Sequence, residues 1–177
     1  MVIEFTFPKV NIFNDFGDEQ FLLFSNFIEN KFEPPGHRST IGIEFMRKTV
    51  EFEKGRLARL SLWVMGGQDR FRYLLRNYLE GTHGILIMCD ITREREIIEI
   101  DTWLKNILSY REYLIRKVTT ILVGYITNDK KPKIPHEELR NLAKSYELDG
   151  YKICNLQTGE NIEEILEALT RDMINLN

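Results

Sequence analysis

Cysteine is scarce in this 177-residue chain: Cys89 and Cys154 each lie in a short apolar stretch, far from one another. With no CxxC pair and no Cys/His cluster, a zinc site or a disulfide framework is not expected. Two buried free thiols in a reducing cytosol are. The three histidines, His37, His83 and His136, are scattered without metal-type spacing and read as surface loop residues. Long hydrophobic runs are also missing, and nothing approaches the roughly 20 apolar residues of a transmembrane helix. Residues 1–13 alternate apolar and polar types around Glu4 and Pro8, unlike the unbroken apolar core of a signal peptide. Charge of one sign never accumulates. Charged residues make up 29% of the chain for a net charge of -3, so the basic stripe of a nucleic-acid binder is lacking. Residues 172–177 hold no cysteine, so no prenyl anchor is expected and a membrane would be reached through a partner. Repeats, low-complexity tracts and an interdomain linker are absent as well, which leaves a single cytoplasmic domain over residues 1–177.

What is present is the patterning of one sizeable core, with 43% hydrophobic residues. Residues 41–53 and 56–64 read as extended segments joined at Lys54-Gly55, a hairpin turn. The runs at 84–89 and 118–124 are continuously apolar, as strands buried on both faces are. Between them, Ile97, Ile100, Leu104, Ile107 and Leu108 recur at helical spacing over residues 96–114. Further helices follow Pro135, through Leu139, Leu142, Ala143 and Tyr146, and start at Ile162, through Ile165, Leu166 and Leu169. A first strand at residues 9–13 and a first helix at residues 19–31 complete the pattern. Alternating strands and helices predict a three-layer α/β fold, with a mostly parallel central sheet, one antiparallel hairpin strand and helices on both faces.

Three stretches carry a family resemblance that spans nearly the whole chain. Ser39-Thr-Ile-Gly-Ile-Glu-Phe45 resembles the STIGxxF of switch I in Rab-type small GTPases. Trp63-Val-Met-Gly-Gly-Gln-Asp-Arg-Phe-Arg72 and Tyr78-Leu-Glu-Gly-Thr-His-Gly84 resemble the WDxxGQERFR and YxxGxxG of switch II and its helix. Thr158-Gly-Glu-Asn-Ile162 resembles the TGENV beyond the guanine-contacting loop, and the GGQDRFRYLL wording is similar to that of archaeal members.

The same resemblance marks departures. The phosphate-loop pattern GxxxxGK[ST] falls on residues 14–21, starting at Asn14 and including Gly17. There Glu19 replaces the second glycine, Gln20 the lysine and Phe21 the magnesium-binding hydroxyl residue. Val64 stands at the aspartate of DxxG; NKxD falls on residues 125–128, with Tyr125 for the asparagine and Asn128 for the aspartate; and SAK falls on residues 155–157. Thr40, Gly67 and Gln68 are the remnants of the nucleotide pocket.

A phosphate loop needs glycine-freed N–H groups, a lysine for charge and a hydroxyl for magnesium. Here Asp15, Asp18 and Glu19 crowd the loop. One carboxylate about 5 Å from a phosphate charge costs roughly 3 kcal/mol at an effective dielectric near 20. Asn128 offers one acceptor atom where a carboxylate offers two. The expectation is therefore a catalytically inactive small-GTPase-type protein, a pseudo-GTPase, with no catalytic residue, no metal site and no cofactor. The alternative is an atypical GTPase that still binds GTP or GDP with magnesium.

The resemblance also implies a partner surface, because Phe45, Trp63 and Tyr78 match the aromatic triad through which Rab-type proteins meet effectors. The plainer role of Trp63 and Tyr78 is to pack the sheet against the second switch helix. Expected partners are proteins of trafficking or signalling, bound through the switch-like face, and a homodimer or heterodimer is compatible with it. Lys130, Lys131 and Lys133 form a short basic cluster that reads as a solvated loop.

Overall fold

The computed structural model describes residues 2–14, 18–29, 43–66, 75–110, 117–127 and 130–176. Its strands are β1 (Val2–Asn14), β2 (Ile43–Glu53), β3 (Arg56–Gly66), β4 (Thr82–Asp90), β5 (Thr119–Ile126) and β6 (Gly150–Asn155). Its helices are α1 (Asp18–Glu29), α2 (Leu75–Leu79), α3 (Glu96–Ser109), α4 (His136–Ser145) and α5 (Ile162–Asn175). The strands form one sheet in the order β2-β3-β1-β4-β5-β6, with β2 and β3 antiparallel and the other neighbours parallel.

Each element follows from its residues. The β2–β3 hairpin turns where Gly55 adopts φ +78, a left-handed conformation that costs glycine little, and its N–H donates to Glu51 Oε1 at 2.7 Å. In β4 and β5 nearly every residue is buried, as strands covered on both faces must be. Apolar residues of α1 and α5 share one core cluster with Val10, Ile12, Leu60, Leu62, Met88 and Val123. On the other side of the sheet, α3 and α4 pack with Phe13, Ile85, Ile87, Cys89 and Leu122. The layers are thus helix, sheet, helix.

Three expectations need correction. β1 begins at Val2 rather than at residue 9, because its first half pairs parallel with β3, Val2 with Arg56 through Thr6 with Arg59. Pro8 hid this, having no N–H for a ladder; the register shifts between Thr6 and Lys9, so the proline sits at an irregularity that tolerates it. α3 ends at Ser109, with Tyr110 as its cap, short of the expected end at 114. His83 is a half-buried residue of β4 rather than a loop residue, and its Nδ1 accepts the Lys9 N–H at 3.2 Å. The first residues expected of β2, the expected end of α1 and His37 lie outside the described residues.

Candidate functional site

In an open α/β sheet, ligands bind beyond the carboxyl ends of the strands. β1 ends there at Asn14, which is buried and donates from Nδ2 to the Met65 carbonyl at 2.9 Å, tying β1 to the end of β3. α1 opens at Asp18, and one turn in, Phe21 is 7% exposed. Gln20 beside it is half-buried. Val64 is fully buried at the end of β3, and Tyr125 is 1% exposed near the end of β5. Phe21, Val64 and Tyr125 come from three separate segments, yet all belong to the cluster beneath α1 and α5. Of the other positions, Gly17, Thr40, Gly67, Gln68 and Asn128 lie outside the described residues, as does the side chain of Glu19.

The fit of magnesium and nucleotide can be tested on donor atoms. Phe21 and Val64 offer no oxygen, and the Asn14 amide is engaged with a backbone carbonyl. The loop after β6 is closed on itself. Asn155 Oδ1 accepts the N–H groups of Gln157 at 2.9 Å and Thr158 at 3.2 Å, and Thr158 Oγ1 accepts that of Glu160 at 3.3 Å. Gly159, at φ +78, leaves no room for a side chain, since a Cβ would lie 2.7 Å from the Phe27 ring. Of the magnesium-ligand positions, the two described, Phe21 and Val64, do not fit that ion. Among the described residues no group of three or more His, Cys, Asp or Glu could hold a metal ion.

The aromatic triad does come together. Phe45 on β2 is 62% exposed and meets Trp63 on β3, its register partner, edge to face with ring centroids 4.6 Å apart. Trp63 meets Tyr78 of α2 at 6.2 Å, also edge to face. Such pairs contribute about 0.5–1.5 kcal/mol beyond their area. Tyr78 is half-buried against the α3 side of the core, so the packing role and the surface role coexist in one side chain.

Polar residues of β1 hold this ladder in place. Lys9 Nζ sits 3.9 Å from the Trp63 ring centroid and donates to the Glu80 carbonyl at 2.9 Å. Burial lowers its pKa, against a raising influence from Glu80. Asn11, fully buried, donates from Nδ2 to the Tyr78 carbonyl and to Thr82 Oγ1, both at 2.8 Å. Neither Lys9 nor Asn11 was expected to take part. The signal for them is two polar residues alternating with apolar ones in a central strand, where a polar side chain needs a defined partner.

A six-stranded sheet in this order, with the antiparallel hairpin at one edge and helices on both faces, defines the small-GTPase class of α/β protein. The sequence profile of the Ras family matches residues 17–175, and the chain belongs to that family. It is 30% identical over 167 residues to the Ras-related protein Rab-13 of Rattus norvegicus, covering 94% of this chain and 79% of the relative. The Ras-related protein Rab-15 of Homo sapiens is 31% identical over 163 residues, covering 92% and 74%. The Ras-related protein RABE1e of Arabidopsis thaliana is 31% identical over 137 residues, covering 76% and 61%. No helix among the described residues is long and apolar enough to cross a membrane.

Proposed function

We propose that this Ras-family chain is a pseudo-GTPase, a single domain over its 177 residues that binds protein partners in trafficking or signalling and does not hydrolyse GTP. One observation carries the reading. Phe21, Val64 and Tyr125 occupy three positions at which the family resemblance places ligands of phosphate-bound magnesium and of the base, and all three are core side chains. Apolar packing has taken up the space and the chemistry of the ligand set. Restoring one ligand would leave the others missing, so the loss is not a single tolerated substitution. The partner surface is the ladder of Phe45, Trp63 and Tyr78, fixed from below by Lys9 and Asn11. An exposed aromatic, Phe45, in one ladder with two half-buried ones is favoured as an interface anchor.

The experiment is to purify the protein without added nucleotide, denature it and separate the released small molecules by chromatography. No guanine nucleotide is expected. A stoichiometric amount would favour the alternative, an atypical GTPase that keeps GTP or GDP through backbone contacts. For the surface, a partner found by pull-down should bind the Tyr78→Ala variant at least about thirtyfold more weakly, the equivalent of roughly 2 kcal/mol at an anchor. Equal affinity in a well-folded variant would place the interface elsewhere.

A further inference from the structure

Phe7 has a conformation that its residue type disfavours. Its φ is +63, and it precedes a proline, which biases the preceding residue toward extended backbone. A bulky side chain in the left-handed region is strained, and strain of this kind persists where the rest of the structure or a function holds it. The ring gains little burial in return, because Phe7 is 47% exposed. It does gain a cation, since Arg47 Cζ on β2 lies 5.4 Å from the ring centroid.

Phe7 and Arg47 stand on the side of the sheet that carries the aromatic ladder. The strand register puts Phe45, Arg47 and Thr49 of β2 opposite Trp63, Ser61 and Arg59 of β3. The alternate residues, Met46, Val50, Leu60 and Leu62, are buried under α1 and α5. Among the described residues no helix covers this outer face beyond Tyr78, and Phe45, Arg47, Thr49 and Arg59 are all exposed. Its described charged side chains on the two strands from Phe45 to Arg59 are Arg47 and Arg59, while the charge of Lys9 is offset by the nearby Glu80 carboxylate. The two exposed carboxylates of β2 are engaged at the hairpin turn, Glu51 with the Gly55 N–H and Glu53 with Arg56.

We propose that this outer face, from Phe45 to Phe7, continues the docking surface of the aromatic ladder and takes a protein segment in which acidic residues alternate with large apolar ones. The inference rests on the reading that the ladder binds protein, and adds the chemistry of the partner. The segment's apolar side chains lie on Phe45 and Phe7, 62% and 47% exposed as they stand, and its carboxylates face Arg47 and Arg59. Long-range attraction from these cations speeds the encounter, and desolvated aromatics supply the affinity. The strained backbone at Phe7 is the cost of presenting a ring at the end of the face where glycine would be relaxed.

The test is selection from a phage-displayed random peptide library on the immobilised protein, followed by fluorescence anisotropy with the best synthetic peptides. Enriched sequences are expected to combine Asp or Glu with Leu, Ile or Phe, and their binding to weaken with added salt. Phe7→Gly should weaken it by about tenfold or more and Arg47→Glu by at least that factor, as loss of an anchor or reversal of a facing charge does. Phe7→Gly should melt no lower than the parent, because glycine relieves the left-handed strain. Enrichment of basic or uncharged peptides, no enrichment, or binding indifferent to both variants would each overturn the proposal. If Tyr78→Ala weakens binding while Phe7→Gly and Arg47→Glu do not, the aromatic-ladder reading stands and this extension falls. If all three variants bind as the parent does, both fall.

Discussion

Replacing Phe21 by serine restores the residue type that the family resemblance expects at this position, and the fold should suffer for it. Phe21 is 7% exposed in the cluster that also holds Phe24, Ile28, Val64 and Tyr125. Truncating a buried phenylalanine commonly costs about 3–5 kcal/mol, which combines lost transfer energy with the cavity left behind. Phe21 lies in the first turns of α1 rather than at the sheet centre, so the lower half of that range, about 3 kcal/mol, is expected. In a protein of this size about 1 kcal/mol shifts the melting temperature by roughly 2–4 °C, so Phe21→Ser should melt about 6–12 °C below the parent. Urea unfolding followed by circular dichroism is the assay, with the slope unchanged and the midpoint lowered, which places the effect in the folded state. Phe21→Leu keeps most of the apolar volume and should lose less than half as much. A serine variant within about 1 °C of the parent would mean that the ring contributes nothing to the core. Packing would then not have replaced the ligand at this position.

Further outcomes follow from single contacts. Gly159→Ala should cost about 1–3 kcal/mol in urea unfolding, from left-handed strain and overpacking together, because its Cβ would meet the Phe27 ring at 2.7 Å. Burial raises the Cys89 thiol and pushes the Cys154 thiol up from 9.0 to about 12, so neither should react with a thiol reagent at pH 8 until the protein is unfolded. The same burial sets a pH dependence. Both thiols stay neutral when folded but ionise near pH 9 when unfolded, so stability is intact below that pH and declines as pH rises from about 9 toward 12. At pH 10 the loss is on the order of 1 kcal/mol per thiol, and Cys154→Ala should remove its share of the decline between pH 8 and pH 10.

Much of the fold is legible because its signals are local. β4 and β5 read as continuous apolar runs, the β2–β3 hairpin turns at Lys54-Gly55, and α4 and α5 keep their apolar stripes in register with the helix period. The first half of β1 is not legible, because Glu4 and Pro8 interrupt the pattern and its partner, the start of β3, lies some fifty residues downstream in sequence, Val2 opposite Arg56. The departures that the family resemblance implies at Phe21, Val64 and Tyr125 can be read from the sequence, whereas the burial of these residues in one cluster needs the fold. Lys9 under the Trp63 ring and Arg47 over Phe7 were hidden for a similar reason: each contact joins residues from different strands, and neither has a spacing that a single sequence reveals. The left-handed backbone of Phe7 runs against residue preference, which is why only coordinates reveal it.

If packing has replaced nucleotide binding, a thermal melt in the presence of magnesium with GTP, GDP or ATP will reveal it. A ligand at a hundredfold excess over its dissociation constant stabilises the folded state by about 2.7 kcal/mol, a shift of several degrees in a protein of this size. The same melting temperature is expected with each nucleotide as with magnesium alone. A rise with GTP or GDP but not with ATP would contradict it and make this chain a guanine-nucleotide-binding member of its family.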